Sequence, residues 1–508
     1  MVQILDTTLR DGEQTSGVSF ATEEKLSIVR LLLEDLKVDR VEVASARVSA
    51  GEYETVRKIA RWAGSRGLTD RIEVLGFVDG SQSIDWIYDT GVRVMNLLCK
   101  GSLKHCTLQL GKEPRQHIED IFRSVETARS KGMRVNIYLE DWSNGIINSP
   151  EYVFSMMDEL RYAEIDHFML PDTLGILNPV QTEKYCSLML ERYPRLNFDF
   201  HPHNDYDMAV ANVFAAVKSG IQCVHTTVNG LGERAGNAPL SSVVAVLHDQ
   251  LKVQTNINEK EIYRVSKVVE SYSGVRIPNN KPVIGENVFT QVAGVHADGD
   301  AKSNLYFNDL LPERFGRTRE YALGKNSGKA NIRKNLESLG IDLDEASMKK
   351  VTNRIIELGD RKLQVTPEDL PYIVSDIVKT GHGAEEKVKI VNYALATSQG
   401  LHPTANVAIE INGEIYQQAA VGDGQYDAFM KAVWKIYDKL DKPYPVLSDF
   451  TVTIPPGGRT DAFVQTVITW KMDGRTFKTH ALEADQITAA IKATARMLNI
   501  IENNNNKK

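Results

Sequence analysis

Short apolar runs and amphipathic stretches alternate along the first 230 residues. The runs fall at 2–5, 40–44, 72–77, 93–98, 133–139, 166–170, 197–201 and 223–228. Between the first two, Leu26, Val29, Leu32, Leu33 and Leu36 recur at helical spacing and make one apolar stripe within 22–36. Short apolar strands separated by such helices predict a parallel sheet covered by helices. Eight units predict an α/β fold, a (β/α)8 or TIM barrel, over 1–265. An open doubly wound sheet is the alternative.

The alternation stops after the barrel. Residues 266–385 carry Pro- and Gly-bearing loops (IPNNKPVIGEN, 277–287) and helices such as 344–359. They read as a mainly helical linker that returns over the barrel mouth and contributes to the active site. A third region, 386–504, changes character again. It predicts strands near 388–395, 404–410 and 413–419, then a helix at 426–440. Strands near 448–454, 462–471 and 476–481 and a helix at 485–500 follow. This is a separate α+β regulatory domain, and its polar tail IENNNNKK reads as frayed.

Bulk properties narrow the classes. At 508 residues the chain exceeds one compact core. It is 42% hydrophobic and 25% charged, as soluble globular proteins are. A net charge of −7 gives no reason to expect a nucleic-acid partner. Cys99, Cys106, Cys186 and Cys223 are scattered without a CxxC, which reads as buried reduced thiols. No apolar run approaches ~18 residues, so no membrane span is expected. The N-terminus enters a strand without a signal peptide, and a cytoplasmic location is expected.

The chemistry concentrates in LDTTLRDGEQ (5–14), FHPHND (200–205), NGLGERAGN (229–237) and GVHADGD (294–300). A barrel places its active-site residues at the C-terminal ends of strands. Asp11 follows the first predicted strand, Glu140 the fifth and Thr173 the sixth; His201 and His203 end the seventh, and Asn237 follows the eighth. Two apart on a strand, His201 and His203 share a face. Alone, an HxH is equally one packed and one exposed histidine. Joined to Asp11 and Asn237, it becomes a mixed nitrogen and oxygen set for one divalent metal: Mn, Zn, Mg or Co. Such a metal chelates a 2-keto acid and polarises its carbonyl. Arg10 then either stabilises the developing alkoxide or forms a surface salt bridge. Glu140, in YLEDWSNG, positions a base or a water, or is a solvated loop carboxylate. Thr173, in LPDTLG, holds a substrate carboxylate or caps a helix. The glycines of NGLGERAGN predict a turn whose exposed N–H groups admit a phosphate-bearing or pantetheine ligand, or a plain loop.

In combination, LRDGEQ, HxHND and NGxGERAGN resemble the family of metal-dependent barrel enzymes that includes 2-isopropylmalate, homocitrate and citramalate synthases. The similarity runs nearly end to end. EVASARVSAGE, YLEDWSNG, LPDTLGIL, AGVHADGD, LPERFGR and the IPPGG-TDA segment are most similar to its citramalate branch. The resemblance implies a Claisen-type condensation of acetyl-CoA with pyruvate by an acyltransferase, with hydrolysis to citramalate and CoA. It implies metal ligation by Asp11, His201, His203 and Asn237, keto-acid contacts from Arg10 and Thr173, and a catalytic carboxylate at Glu140. His296 with Asp298 matches a catalytic pair, and Tyr306 a residue near the centre. In the family these come from a second subunit, which implies a homodimer.

Leu75, Leu98 and Tyr138 match the apolar wall that limits the keto-acid pocket in citramalate synthases. Tyr426, Asp427, Leu447, Phe450, Ile454, Thr460, Val464 and Gln486 match the effector region, with isoleucine the implied feedback inhibitor. Phe450 stands where a tyrosine is usual, Ala484 where a proline is, and Pro202 where a glycine is. The competing readings are a 2-isopropylmalate synthase under leucine control, a lyase or aldolase built on the same metal motif, and a non-enzymatic amino-acid sensor.

Overall fold

The computed structural model describes residues 1–292, 308–360, 367–378, 387–453, 464–483 and 485–505, with Gly299, Leu305 and Val365. Eight parallel strands close into a barrel in sequence order: β1 Gln3–Asp6, β2 Arg40–Ser45, β3 Ile72–Phe77, β4 Val94–Lys100, β5 Arg134–Glu140, β6 Phe168–Asp172, β7 Phe198–Pro202 and β8 Cys223–Thr226. Closure pairs β8 with β1, from Gln3 opposite Cys223 to Asp6 opposite Thr226. The TIM-barrel expectation is correct, and the open sheet is excluded by that pairing.

The strands are buried on both faces, which is why they read as apolar runs. Val41, Val43, Val74, Leu97, Val135, Ile137 and Leu139 belong to the large core shared with the surrounding helices. The alternate residues point into the barrel. There Leu5, Leu75, Tyr138, Met169 and Cys223 form a separate small cluster, with Leu98 packed against it.

The stripe at 22–36 begins as an α-helix, Thr22–Arg30, and continues as a π-helical segment, Leu31–Leu36. Lys37 ends it in the left-handed conformation. The helix Pro179–Arg192 opens on a capping box. Asn178 Oδ1 accepts from Gln181 N at 2.9 Å and Gln181 Oε1 from Asn178 N at 3.1 Å. Asn178, not Thr173, is therefore the cap.

The chain forms two compact units, 1–289 with 307–319 and 290–306 with 320–508. In the second, β9 Thr290–Gln291 pairs with β10 Glu320–Tyr321. Helices Lys329–Ser338, Glu345–Asp360 and Leu370–Val378 carry a core that includes Ile332, Val351 and Ile355. The rest of the unit repeats three antiparallel strands and a helix. The first repeat is β11 Val388–Ala396, β12 Thr404–Ile411, β13 Glu414–Val421 and helix Gln425–Lys439. The second is β14 Val446–Thr453, β15 Val464–Met472, β16 Arg475–Glu483 and helix Gln486–Asn505. Both helices and both sheets contribute to one core, with Phe429, Val433, Trp470, Met497 and Leu498.

The tail expectation needs correction at Ile501–Asn505, which continue the last helix. Ile501 is buried, and Glu502 is buried in an ion pair with Lys442 at 2.5 Å. Together they offset the fraying expected of a polar end. All four cysteines are free and buried, as expected. No helix among the described residues is long and apolar enough to cross a membrane.

Candidate active site

The loop after β1 is a tight turn in which Thr7 O accepts from the N–H groups of Arg10, Asp11 and Gly12 at 3.1, 2.8 and 3.1 Å. This turn holds Asp11 beside His201 and His203. His201 lies on β7, and His203, just past its end, bridges main-chain to Asn237 after β8. Asp11 Oδ2 lies 3.0 Å from His201 Nε2 and 3.8 Å from His203 Nε2, and the two Nε2 atoms are 3.4 Å apart. All three residues and Asn237 are buried.

This triangle has the edge lengths expected of donors that share one ion about 2.1 Å away. Asn237 Oδ1 is buried without a hydrogen-bond partner, and Asp11 Oδ2 has only an ion pair with Arg10 Nη1 at 3.3 Å and no hydrogen bond. Buried acceptors in that condition are costly unless a cation engages them. Burial pushes the His201 and His203 imidazoles down to about 4, so both are neutral and basic enough to ligate at pH 7. Burial also opposes ionisation of Asp11, but the Arg10 guanidinium 3.3 Å away outweighs it and holds the carboxyl well below its usual range. The donor set fits a divalent metal.

Arg10 is not a surface residue. Its side chain is 10% exposed, and Nε donates to Glu42 Oε2 at 2.6 Å while Nη2 donates to the Tyr138 hydroxyl at 3.2 Å. Asn96 Nδ2 donates to the other Glu42 oxygen at 2.8 Å, and Asn136 Nδ2 to Asn96 Oδ1 at 2.8 Å. Leu75, Leu98 and Tyr138 each sit two residues before the end of their strands. They form a layer just below the mouth. The Tyr138 ring stands edge-on to His201 at 5.6 Å, and Leu98 is its register partner across β4 and β5. Tyr138 therefore both packs in this apolar layer and hydrogen-bonds Arg10.

Glu140 ends β5 opposite Lys100, which ends β4, and the two form an ion pair. Thr173 accepts at Oγ1 from the N–H of Asp141 at 2.9 Å, tying the loop after β6 to the one after β5. The glycine turn differs from expectation. Its N–H groups are used internally: Gly230 N donates to Thr227 O at 3.2 Å, Gly232 N to Thr15 Oγ1 at 2.7 Å and Gly236 N to Glu233 O at 2.8 Å. A phosphate cradle is not what these glycines make. They permit close packing instead, since a Cβ on Gly236 (φ +84°) would stand 2.0 Å from Gly230 O.

His296, Asp298 and Tyr306 lie outside the described residues, as do Ile454 and Thr460 of the effector set and Ala484. Among the remaining effector residues, Tyr426 and Phe450 are brought together, their rings 5.3 Å apart. The Tyr426 hydroxyl bonds Thr494 at 2.7 Å. Leu447 is on β14, Val464 opens β15 and Gln486 opens the last helix. The Asp427 carboxylate is engaged locally by Asp423 N at 2.9 Å and Lys431 at 2.7 Å.

Glu42, Asn96, Lys100 and His225 were not singled out from the sequence. Each occupies an inward position of an apolar strand, and a polar residue at period two within RVEVAS, VMNLLCK or CVHT was the signal available.

The model of the HMGL-like family matches residues 1–269. The chain belongs to the HMGL-like family. A homocitrate synthase post-HMGL domain-like region matches 283–363, and the LeuA allosteric (dimerisation) domain matches 364–502. This HMGL-like chain is 34% identical over 505 residues to the 2-isopropylmalate synthase of Methanocaldococcus jannaschii, covering 98% of this chain and 94% of the relative. It is 32% identical over 507 residues to the (R)-citramalate synthase of the same organism, covering 99% and 100%. It is an enzyme of this synthase type, an acyltransferase that converts the acyl group into alkyl on transfer.

Proposed function

We propose that the chain is a citramalate synthase that condenses acetyl-CoA with pyruvate, works as a homodimer and is feedback-inhibited by isoleucine. The observation that carries the choice of keto acid is the layer of Leu75, Leu98 and Tyr138 against the ligand triangle. Large side chains there leave room for a methyl group and crowd an isopropyl group.

Asp11, His201, His203 and Asn237 would hold the divalent metal, which when bound polarises the keto carbonyl as a Lewis acid. Arg10, fixed by Glu42 and Tyr138, stabilises negative charge on the keto oxygen as the acetyl-CoA enolate attacks. Thr173 contacts the keto-acid carboxylate. Glu140 positions the base or the water that hydrolyses the thioester, proton transfer is assigned to His296 with Asp298, and Tyr306 is assigned to the neighbourhood of the catalytic centre. Isoleucine would occupy the region of Tyr426, Asp427, Leu447, Phe450, Ile454, Thr460, Val464 and Gln486, and the match to a LeuA dimerisation domain supports the homodimer.

The second reading is a 2-isopropylmalate synthase, favoured by the similar identities of the two Methanocaldococcus relatives, 34% and 32%. The test is thiol-detected CoA release from acetyl-CoA with pyruvate, 2-ketobutyrate or 2-ketoisovalerate, each with and without isoleucine or leucine. Fastest turnover with pyruvate, suppressed by isoleucine, is expected. Fastest turnover with 2-ketoisovalerate, suppressed by leucine, would establish the second reading.

A further inference from the structure

Behind the ligand triangle runs a buried line of hydrogen-bonding groups. His201 Nδ1 lies 3.1 Å from His225 Nδ1, and His225 Nε2 lies 3.2 Å from Asp199 Oδ2. Asp199 is paired with the Arg40 guanidinium and meets His167 Nδ1 at 2.8 Å, so it is an anion that only accepts. A neutral imidazole carries one proton, and which nitrogen holds it is set by the partner of the other. Facing Asp199, the His225 proton sits on Nε2, and Nδ1 is left as an acceptor. That acceptor faces His201 Nδ1, so the His201 proton sits on Nδ1. The His201 Nε2 lone pair is then free toward Asp11 and His203.

We propose that His225, oriented by Asp199, is a positioning residue that fixes the tautomer and ring orientation of His201 for metal ligation. The inference rests on the ligand assignment in the proposed function. The Tyr138 hydroxyl also reaches His225 Nδ1, at 3.0 Å, and has Glu42 Oε2 at 3.4 Å as its other acceptor. Nδ1 has one lone pair, so when His201 donates to it the Tyr138 proton turns to Glu42 Oε2. Asp199, Cys223 and His225 also converge, but not as a second metal site. Arg40 Nη2 already binds Asp199, and it reaches Cys223 Sγ at 2.8 Å, so that cluster has its cation.

Partners of this kind hold a ligating histidine in place, and losing one costs roughly 10–100-fold in metal affinity. The experiment titrates Zn2+ and Co2+ into metal-stripped full-length protein against a chelating indicator. It also records the Co2+ absorption spectrum and the thermal unfolding of the metal-free protein. His225→Leu is expected to weaken metal binding about 10–100-fold and alter the Co2+ spectrum. His225→Asn, whose amide oxygen still accepts from His201 Nδ1, is expected to bind within about threefold of wild type. If His225→Leu unfolds early without metal, His225→Met takes its place. Unchanged affinity in the apolar variant, or equal losses with Leu and Asn, would overturn the proposal. His203→Ala is run alongside. Stoichiometric metal retained in that variant would sink the ligand assignment itself, whatever His225 does.

Discussion

Arg10 Nη2 donates to the Tyr138 hydroxyl at 3.2 Å, and Arg10 Nε to Glu42 at 2.6 Å. The residue proposed to limit the size of the keto-acid pocket thus also holds the guanidinium beside Asp11. Tyr138→Phe keeps the wall and removes the anchor. We expect kcat to fall about 5–10-fold, the value of roughly one hydrogen bond of about 1 kcal/mol, with little change in KM for pyruvate and none in keto-acid preference. Steady-state kinetics with pyruvate and 2-ketobutyrate check this. An unchanged kcat would remove Tyr138 from the positioning of Arg10.

Leu98 is half-buried beside Tyr138 and contributes only volume. Leu98→Ala should raise kcat/KM for 2-ketobutyrate or 2-ketoisovalerate relative to pyruvate by roughly 10–100-fold, since one methylene in an apolar pocket discriminates by about 1–3 kcal/mol. A ratio that does not move would place the pocket wall elsewhere.

Lys100 is 9% exposed in its side chain and pairs with Glu140, 24% exposed, at adjacent strand ends. Removing one partner of a largely buried pair leaves the other charge unsatisfied. Lys100→Met should lower kcat at least tenfold, and Lys100→Arg should restore part of it. If Met and Arg behave alike, the pair does not position Glu140.

The metal reading predicts that chelation abolishes turnover and that a divalent ion restores it. His203→Ala should fold, judged by circular dichroism, yet stay inactive at any metal concentration. Full activity after exhaustive dialysis against chelator would contradict the whole ligand set.

His117 accepts at Nε2 from the N–H of Lys100 at 3.0 Å, and burial pushes its imidazole down to about 4. In the unfolded chain it titrates near 6.5. The unfolded state therefore binds a proton between those values that the folded state does not, and stability falls as pH drops from about 6.5 toward 4. His117→Gln can still accept from Lys100 N and should reduce that loss by up to about 1.4 kcal/mol per pH unit. Urea unfolding of metal-free protein at pH 5, 6 and 7 checks the slope. Equal slopes would show that His117 is protonated in the fold.

The strand and helix pattern was legible in the chain because it is local. The eight barrel strands formed within three residues of their predicted limits, from apolar runs that helices cover on the outside. His201 and His203 share a face because strand geometry repeats every two residues, and Asp11 joins them, with the Asn237 main chain bridged to His203, because barrels gather strand ends. The polar residues inside the strands were visible too, but not their partners. Arg40 reaches Asp199 across 159 residues and His201 reaches His225 across 24, and both contacts depend on barrel closure and register. The same holds for the Tyr138 hydroxyl and for Thr173, whose hydroxyl serves Asp141 rather than a helix end. Periodicity decides which way a side chain points. What it meets there is set by chain segments far away in sequence, and only the closed barrel brings them within hydrogen-bonding distance.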